Sequence, residues 1–271
     1  VPLTALFRPG VSRSLRLLSL TTYVVAVVTL AFTQSRGAWL AYLVGHAVWL
    51  LYQNRLLLVP AFAAVGLSAA LLASSGLVPE TVQERIEETL TPGHSQFRGS
   101  GATAGLDSSA QIRVTLYRMA GDMWVDSPIW GHGLRSFRLL ASEYGTRYGV
   151  LQRTRSATGR GASAESLYGR VAVESGLIGL AVLAWIAWTL ISVGRGLVRE
   201  SPTERDVGVM FLGVLAAVGT NCTTMEALLS HAVAIPFWAV AGLATRAYYD
   251  HLVAGRAPAN PPRSRAGLGT T

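Results

Sequence analysis

Apolar residues in this chain come in long blocks rather than in alternation with polar ones. Stretches free of Asp, Glu, Lys and Arg occupy residues 17–35, 37–54, 56–79, 175–194, 207–225 and 227–245. Each holds roughly 18–24 residues. As a helix rising about 1.5 Å per residue it extends about 27–36 Å, enough to cross the hydrocarbon core of a bilayer. Six such blocks predict six transmembrane helices and an all-α membrane protein. The alternative, six buried helices of a soluble protein, needs a polar coat that the sequence does not contain. The second block is the weakest span, because it includes His46 and ends at Gln53-Asn54. Between the third and fourth blocks lies a polar stretch, which predicts one long and partly helical loop. The expected organisation is an N-terminal basic segment with three spans over residues 1–79, the loop over 80–170, three more spans over 171–248, and a disordered tail over 249–271.

Composition agrees with that class. Hydrophobic residues make up 51% of the 271 and charged ones only 14%, against roughly a quarter in soluble domains. The net charge of +8 is carried wholly by arginine, and its distribution orients the spans. Arg8, Arg13 and Arg16 precede the first span, and Arg55 separates the second from the third. Arg195, Arg199 and Arg205 lie between the fourth and fifth, and Arg246, Arg256, Arg263 and Arg265 follow the sixth. With six spans, all of these fall on one side. The short connections on the other side carry only Arg36. Arginine in short loops marks the cytoplasmic side, and long loops are exempt. Both ends are therefore expected in the cytoplasm, with the loop and Arg36 outside.

Residues 8–16 read as a cytoplasmic connection, which predicts further spans upstream. The tail from Ala254 is rich in Pro, Gly, Ala and Arg without an apolar period, as disordered segments are. Basic chains can bind nucleic acid. Here topology explains the cytoplasmic arginines and the loop is nearly balanced in charge, so no nucleic-acid partner is expected. Cys222 is the single cysteine, which leaves no intrachain disulfide, cysteine metal site or redox pair. It reads as a small packing residue.

The loop divides into three parts. Residues 80–91 form an acidic amphipathic helix, with Val82, Ile86 and Leu90 recurring every four residues and Pro92-Gly93 ending it. Residues 93–109 are rich in Gly, Ser, Thr and Ala and read as a mobile surface segment. Residues 110–126 form a second helix with Ser108 or Ser109 as N-cap. Its apolar stripe is Ile112, Leu116, Met119 and Met123, and Arg113, Tyr117 and Trp124 share another face. Asp126-Ser127-Pro128 stops it, and Gly131-His132-Gly133 makes a tight turn. The last part, 134–165, carries Arg135, Arg138, Arg147, Arg153, Arg155 and Arg160. Glu165 and Tyr168 then lie one helical turn apart at the entry to the fourth span. Gly176 and Gly179 are expected to permit close helix approach.

Candidate chemistry centres on Arg36. A charge between two spanning helices costs free energy unless it has a partner or a wet cavity, so Arg36 is a candidate anion binder. Together with the loop arginines it points to an enzyme acting on a charged, lipid-linked substrate at a membrane surface. Arg36 also reads as an anchor that snorkels to the interface, and Arg113 as a plain surface residue. Those readings stay open. No acidic cluster of the metal-binding kind occurs, so neither a metal nor another cofactor is expected.

Three stretches carry a resemblance. Thr33-Gln34-Ser35-Arg36-Gly37-Ala38-Trp39-Leu40-Ala41 resembles the T-x-S-R-G-x-W-L-A signature of the O-antigen ligase and O-antigen polymerase superfamily. Arg113 followed by Asp126-Ser127-Pro128-Ile129-Trp130-Gly131-His132-Gly133 is similar to that superfamily's arginine and D-x-P-x-x-G-x-G stretch. Residues 165–180 are similar in spacing to its H-N-x-Y-L … E-x-G-L-x-G-L stretch. The three occur in the same order and bracket a long outer loop, as in that superfamily, and the likeness covers roughly residues 30–180.

The resemblance implies a polytopic membrane glycosyltransferase of polysaccharide biosynthesis in the bacterial cytoplasmic (inner) membrane, of which this chain is the C-terminal half. Its donor would be a glycan on undecaprenyl pyrophosphate at the outer face, and its acceptor another glycan or a lipid. Other envelope polysaccharide assembly proteins are expected partners beside the lipid bilayer. Carried over by motif, Arg36 and Arg113 would hold the pyrophosphate. Guanidinium groups bind phosphate oxygens bidentately and stay charged, and fixed positive charge lowers the barrier to an anionic leaving group. That makes a divalent metal unnecessary, and inversion at the anomeric carbon is the expected course.

Ligases of this superfamily carry His-Asn where this chain has Glu165-Ser166. A glutamate there can draw the proton from the attacking hydroxyl, or cap the helix and pair with an arginine. The substitution favours a polymerase or another branch over a ligase. His132 stands as a replacement for the missing histidine or as a structural turn residue. Tyr117, Arg135 and Tyr168 complete the substrate-binding candidates. Two other classes remain: a transporter of small anions or lipid-linked sugars, and a non-catalytic assembly protein.

Overall fold

The structure, a computed structural model, describes residues 10–33, 35–53, 108–148, 164–201 and 204–256. Seven α-helices occur among the described residues, with no strand. They are α1 (Arg13–Phe32), α2 (Arg36–Gln53), α3 (Ser108–Asp126), α4 (Ser136–Tyr148), α5 (Leu167–Glu200), α6 (Arg205–Thr224) and α7 (His231–Arg256). A 3₁₀ turn, Ala227–Leu229, separates α6 from α7. Among the described residues, three helices are long and apolar enough to cross a membrane: α1 over Arg13–Leu30, α5 and α6. The expected third span, 56–79, and the acidic helix, 80–91, lie outside the described residues, as do Arg153, Arg155 and Arg160.

Small residues set the packing of the long helices. α2 and α6 run antiparallel in close contact. A Cβ on Gly45 would stand 2.9 Å from the Gly213 carbonyl oxygen and 2.9 Å from the Ala217 Cβ. At one end of the pair Gly37 abuts Thr224, and at the other Gln53 donates to Asp206 at 3.4 Å. Backbones this close gain dispersion contact that larger side chains would prevent. α5 also runs antiparallel to α6, with Gly194 against Phe211 and Leu212, and Gly208 against the Gly194 carbonyl. α7 packs on α5 where Tyr248 covers Gly196. α1 lies against the start of α2, where the Trp39 indole donates to the Leu30 carbonyl at 2.9 Å.

This arrangement gives the bundle two ends. Arg195, Arg199, Arg205 and Arg246 lie towards one of them, where α5 ends and α6 begins. The other end carries the start of α2, the end of α6 and the start of α5, and on it sits a small helical unit. The predicted stripe of α3 forms that unit's core. Leu116, Met119 and Met123 are buried against Phe137, Ala141 and Tyr144 of α4 and Val173 of α5, with Ile112 packed alongside. The Tyr144 hydroxyl donates to the Asp126 carboxylate, which ties the end of α3 to α4.

Several expectations change. α3 already includes Ser108, so neither Ser108 nor Ser109 is its cap. α4 falls in the arginine-rich stretch where no helix was expected. The helix that holds the apolar block 175–194 starts earlier, at Leu167, and Ser166 caps it by accepting from the Gly169 amide at 3.3 Å. α7 continues to Arg256, so 249–256, assigned to the tail, is helical.

The largest correction concerns Gly176. It does not seat a neighbouring helix. Its φ of 60° and ψ of −153° break α5, a conformation open almost only to glycine. The turn 128–133 docks on the break. Leu177 N–H donates to Pro128 at 2.8 Å, His132 N–H to Val173 at 2.8 Å and Gly133 N–H to Glu174 at 3.0 Å. Backbone groups that an unbroken helix would pair internally are thus paired by the loop, as buried polar groups require. Gly131 and Gly133, with φ of 69° and 94°, shape the loop for this contact. Gly179 lies against Ser175 and Val171 of its own helix.

Candidate functional site

Arg36 is the first residue of α2. The close approach of Gly37 to Thr224 fixes its position: a Cβ on Gly37 would stand 2.2 Å from the Thr224 hydroxyl oxygen. One residue earlier on α6, the Thr223 carbonyl accepts from the Tyr117 hydroxyl of α3. The C-terminus of α6 therefore joins the start of α2 to the middle of α3. Arg113 lies one helical turn before Tyr117. Burial pushes the Tyr117 phenol above its usual pKa, the Arg113 guanidinium opposes that shift, and the Glu165 carboxylate reinforces it. Arg113, Tyr117 and Glu165 are thus electrostatic neighbours, and Gly37, next to Arg36 in the chain, abuts Thr224 one residue from the carbonyl that Tyr117 reaches.

Glu165 stands on a short bridge into α5. Its φ is 51°, an uncommon conformation for a residue with a Cβ. Contacts on both sides hold it. Ala164 is fully buried, and its amide donates to Glu226 Oε1 at 3.2 Å. The Ser166 hydroxyl is directed to the Cys222 carbonyl at 3.4 Å. One turn on, the Tyr168 hydroxyl donates to Gly219 at 2.9 Å. Tyr168 therefore braces α5 on α6 from within the same neighbourhood.

Sequence reasoning gave Glu226 no role. It sits between α6 and the 3₁₀ turn and binds Arg170, whose Nη1 lies 2.7 Å from Glu226 Oε2. Arg170 Nε also donates to Glu174 at 3.0 Å. The result is an arginine between two carboxylates, tying the first turns of α5 to the segment after α6. Beside it opens a cavity of about 450 Å³, whose charged walls are Arg135, Arg138, Arg170, Glu174 and Glu226.

The remaining candidates divide. Arg135 faces this cavity from an exposed position with φ of 63°. The His132 ring has Nε2 2.7 Å from the Met123 carbonyl, so it donates there and ties the 128–133 loop to α3. Trp124 parts from Arg113 and Tyr117 and donates to Pro128 at 3.2 Å. Among the described residues no cluster of three or more metal-ligating side chains occurs.

His46, for which the sequence offered no partner, has two. Its Nδ1 donates to the Tyr42 carbonyl at 2.9 Å, and its Nε2 lies 3.3 Å from the Tyr23 hydroxyl. A carbonyl can only accept, so in the neutral ring Nε2 is the acceptor. These groups line an apolar cavity of about 410 Å³ between α1, α2 and α6.

No curated protein and no solved structure matches the chain significantly. The family described as O-antigen ligase matches residues 21–184, more than half of the 271 and inclusive of Arg36, Arg113, Glu165 and both halves of the contact at Gly176. The chain belongs to the O-antigen ligase family, a membrane family that ligates glycans.

Proposed function

We propose that this chain transfers or polymerises a glycan from an undecaprenyl-pyrophosphate-linked donor at the outer face of the bacterial cytoplasmic membrane. The observation that carries the reading is the grouping of Arg113, Tyr117 and Glu165 beside the C-terminus of α6, whose last residue also abuts Gly37, the neighbour of Arg36. Two guanidinium groups brought from separate helices suit a doubly phosphorylated headgroup. A carboxylate in the same place suits a hydroxyl nucleophile.

In this mechanism the acceptor hydroxyl oxygen attacks the anomeric carbon of the donor sugar. The bond from that carbon to the pyrophosphate oxygen breaks, and its electron pair leaves with the pyrophosphate. Arg36 and Arg113 stabilise the charge that develops there. The hydroxyl proton goes to Glu165. Attack opposite the leaving group inverts the anomeric centre. The arginines supply the positive charge, so turnover persists in EDTA. Topology supports the outer face: the arginines of α5, α6 and α7 gather at the far end, in keeping with six spans and a cytoplasmic arginine side.

The test is incubation of the purified chain with synthetic undecaprenyl-diphospho-oligosaccharide and separation of products by length. A ladder identifies a polymerase and a single shift a ligase. Equal, donor-dependent uptake into sealed liposomes without any new glycosidic bond would replace this reading with transport.

A further inference from the structure

The lining of the cavity beside the Arg170 ion pairs shares no residue with the Thr223-Thr224 cluster, and its chemistry differs. Arg170 engages both Glu174 and Glu226, at 3.0 and 2.7 Å, and the Ala164 amide takes the other oxygen of Glu226. The two carboxylates in the wall are therefore already bound by donors. Arg135 and Arg138 form no ion pair among the described residues and are exposed at the cavity. Three guanidinium groups against two carboxylates leave a net charge of +1 in the lining. A ligand that enters meets the Arg135 and Arg138 forks as its main unmatched donors.

Each simple ligand class fits only part of this wall. A bare phosphate satisfies the arginines but brings no donor for the remaining carboxylate lone pairs, and those carboxylates repel it. A neutral sugar donates its hydroxyls to the carboxylates but leaves Arg135 and Arg138 without an anion. A sugar bearing one negative group satisfies both: guanidinium binds the anion, and the carboxylates accept from ring hydroxyls. The volume of about 450 Å³ is within the usual range of about 300–1,000 Å³ for ligand pockets. The backbone adds an independent sign. Arg135 holds φ at 63°, a left-handed conformation that a non-glycine residue adopts only at a cost, and such strain gathers at ligand sites.

We propose that the cavity walled by Arg135, Arg138, Arg170, Glu174 and Glu226 is a saccharide subsite that selects a sugar carrying a carboxylate or phosphate group. Its sugar belongs to the glycan being transferred or extended, an identification that rests on the glycosyltransferase reading above. Glu226 forms the cavity wall and also holds the amide next to Glu165, so a sugar seated here lies beside the proposed base.

Purified full chain in lipid nanodiscs is titrated with D-glucuronate, D-glucose 6-phosphate, D-glucose and inorganic phosphate. At least one acidic sugar is expected to bind tenfold or more tightly than glucose and than phosphate, with affinity falling as salt rises. Whichever it is separates a carboxylate from a phosphate ligand. Arg135→Gly removes the fork while suiting the left-handed backbone, and Arg138→Ala removes the second fork. Each weakens the acidic sugar about tenfold and leaves the unfolding midpoint in place. Absence of saturable binding by either acidic sugar overturns the proposal. So does glucose or phosphate binding as tightly, or unchanged affinity in the double variant. Arg36→Ala keeps the same affinity for the acidic sugar, so this result is independent of whether the chain transfers glycan.

Discussion

Gly176 of α5 is pressed against the backbone of Ile129: a Cβ on the glycine would stand 2.3 Å from the Ile129 carbonyl oxygen. Two stretches separated by about fifty residues of chain thus form one backbone-to-backbone contact, with the turn 128–133 filling a break in a long helix. Gly176→Ala faces both a forbidden conformation and a backbone clash, neither relieved by a rotamer change. We expect a loss of about 3 kcal/mol or more, read as the denaturation midpoint in detergent. Gly133→Ala meets no atom within 4 Å and suffers only from its positive φ, so its loss is smaller. Equal stability of Gly176→Ala and the parent would show that the break is absent.

The approach of Gly37 to Thr224 predicts a compensating pair. Gly37→Ala drives its new Cβ into the Thr224 hydroxyl, displaces the start of α2 and moves Arg36, so activity falls. Thr224→Ala removes the offending oxygen. The double variant should recover most of the activity lost by Gly37→Ala. A double variant no better than Gly37→Ala would contradict this geometry.

Glu226 accepts from Arg170 and from the Ala164 amide. Glu226→Ala leaves both unmatched and is expected to cost about 2 kcal/mol, with a fall in turnover as Glu165 loses its support. Glu226→Gln can still accept from Ala164 and should recover part of both. Chemical denaturation beside a turnover assay tests this, and an Ala variant as stable and active as the parent refutes it.

Alkaline pH should destabilise the outer helical unit. The hydrogen bond to Asp126, with burial, raises the Tyr144 pKa, and burial first of all raises that of Tyr117. A phenol whose folded pKa is raised adds stability that is whole below the unfolded value of about 10 and is lost as pH rises through the folded value. Stability should therefore fall above about pH 10. Tyr144→Phe and Tyr117→Phe should flatten that fall, each at the loss of one hydrogen bond. A pH profile above 10 unchanged in both variants would contradict the assignment.

The legible parts of the sequence were those with long uniform patterns. Apolar blocks marked the long helices, and the spacing of three and four between Leu116, Met119 and Met123 marked the buried face of α3. α4 was hidden because Phe137, Ala141 and Tyr144 are scattered among arginines, and its apolar face gains meaning only against α3. The pair Gly176 and Gly179 reads the same whether it seats a helix or breaks one. Only the loop that docks there decides. Glu226 was missed because it is an isolated carboxylate between two apolar runs, and its partner Arg170 is 56 residues away in sequence. Arg36, Arg113 and Glu165 were chosen from motifs, and Tyr117 from the helix face it shares with Arg113. The Tyr117 bond to Thr223 and the approach of Gly37 to Thr224 both depend on α6, and no local pattern reveals them.

Turnover of synthetic undecaprenyl-diphospho-oligosaccharide by Arg36→Ala, Arg113→Ala and the double variant addresses the reading most directly. With both guanidinium groups on the departing pyrophosphate, each single change lowers the rate about 100-fold or more, and the double change lowers it by less than the product of the two because they serve one leaving group. Parent-like turnover in either single variant, with the protein folded, would contradict it.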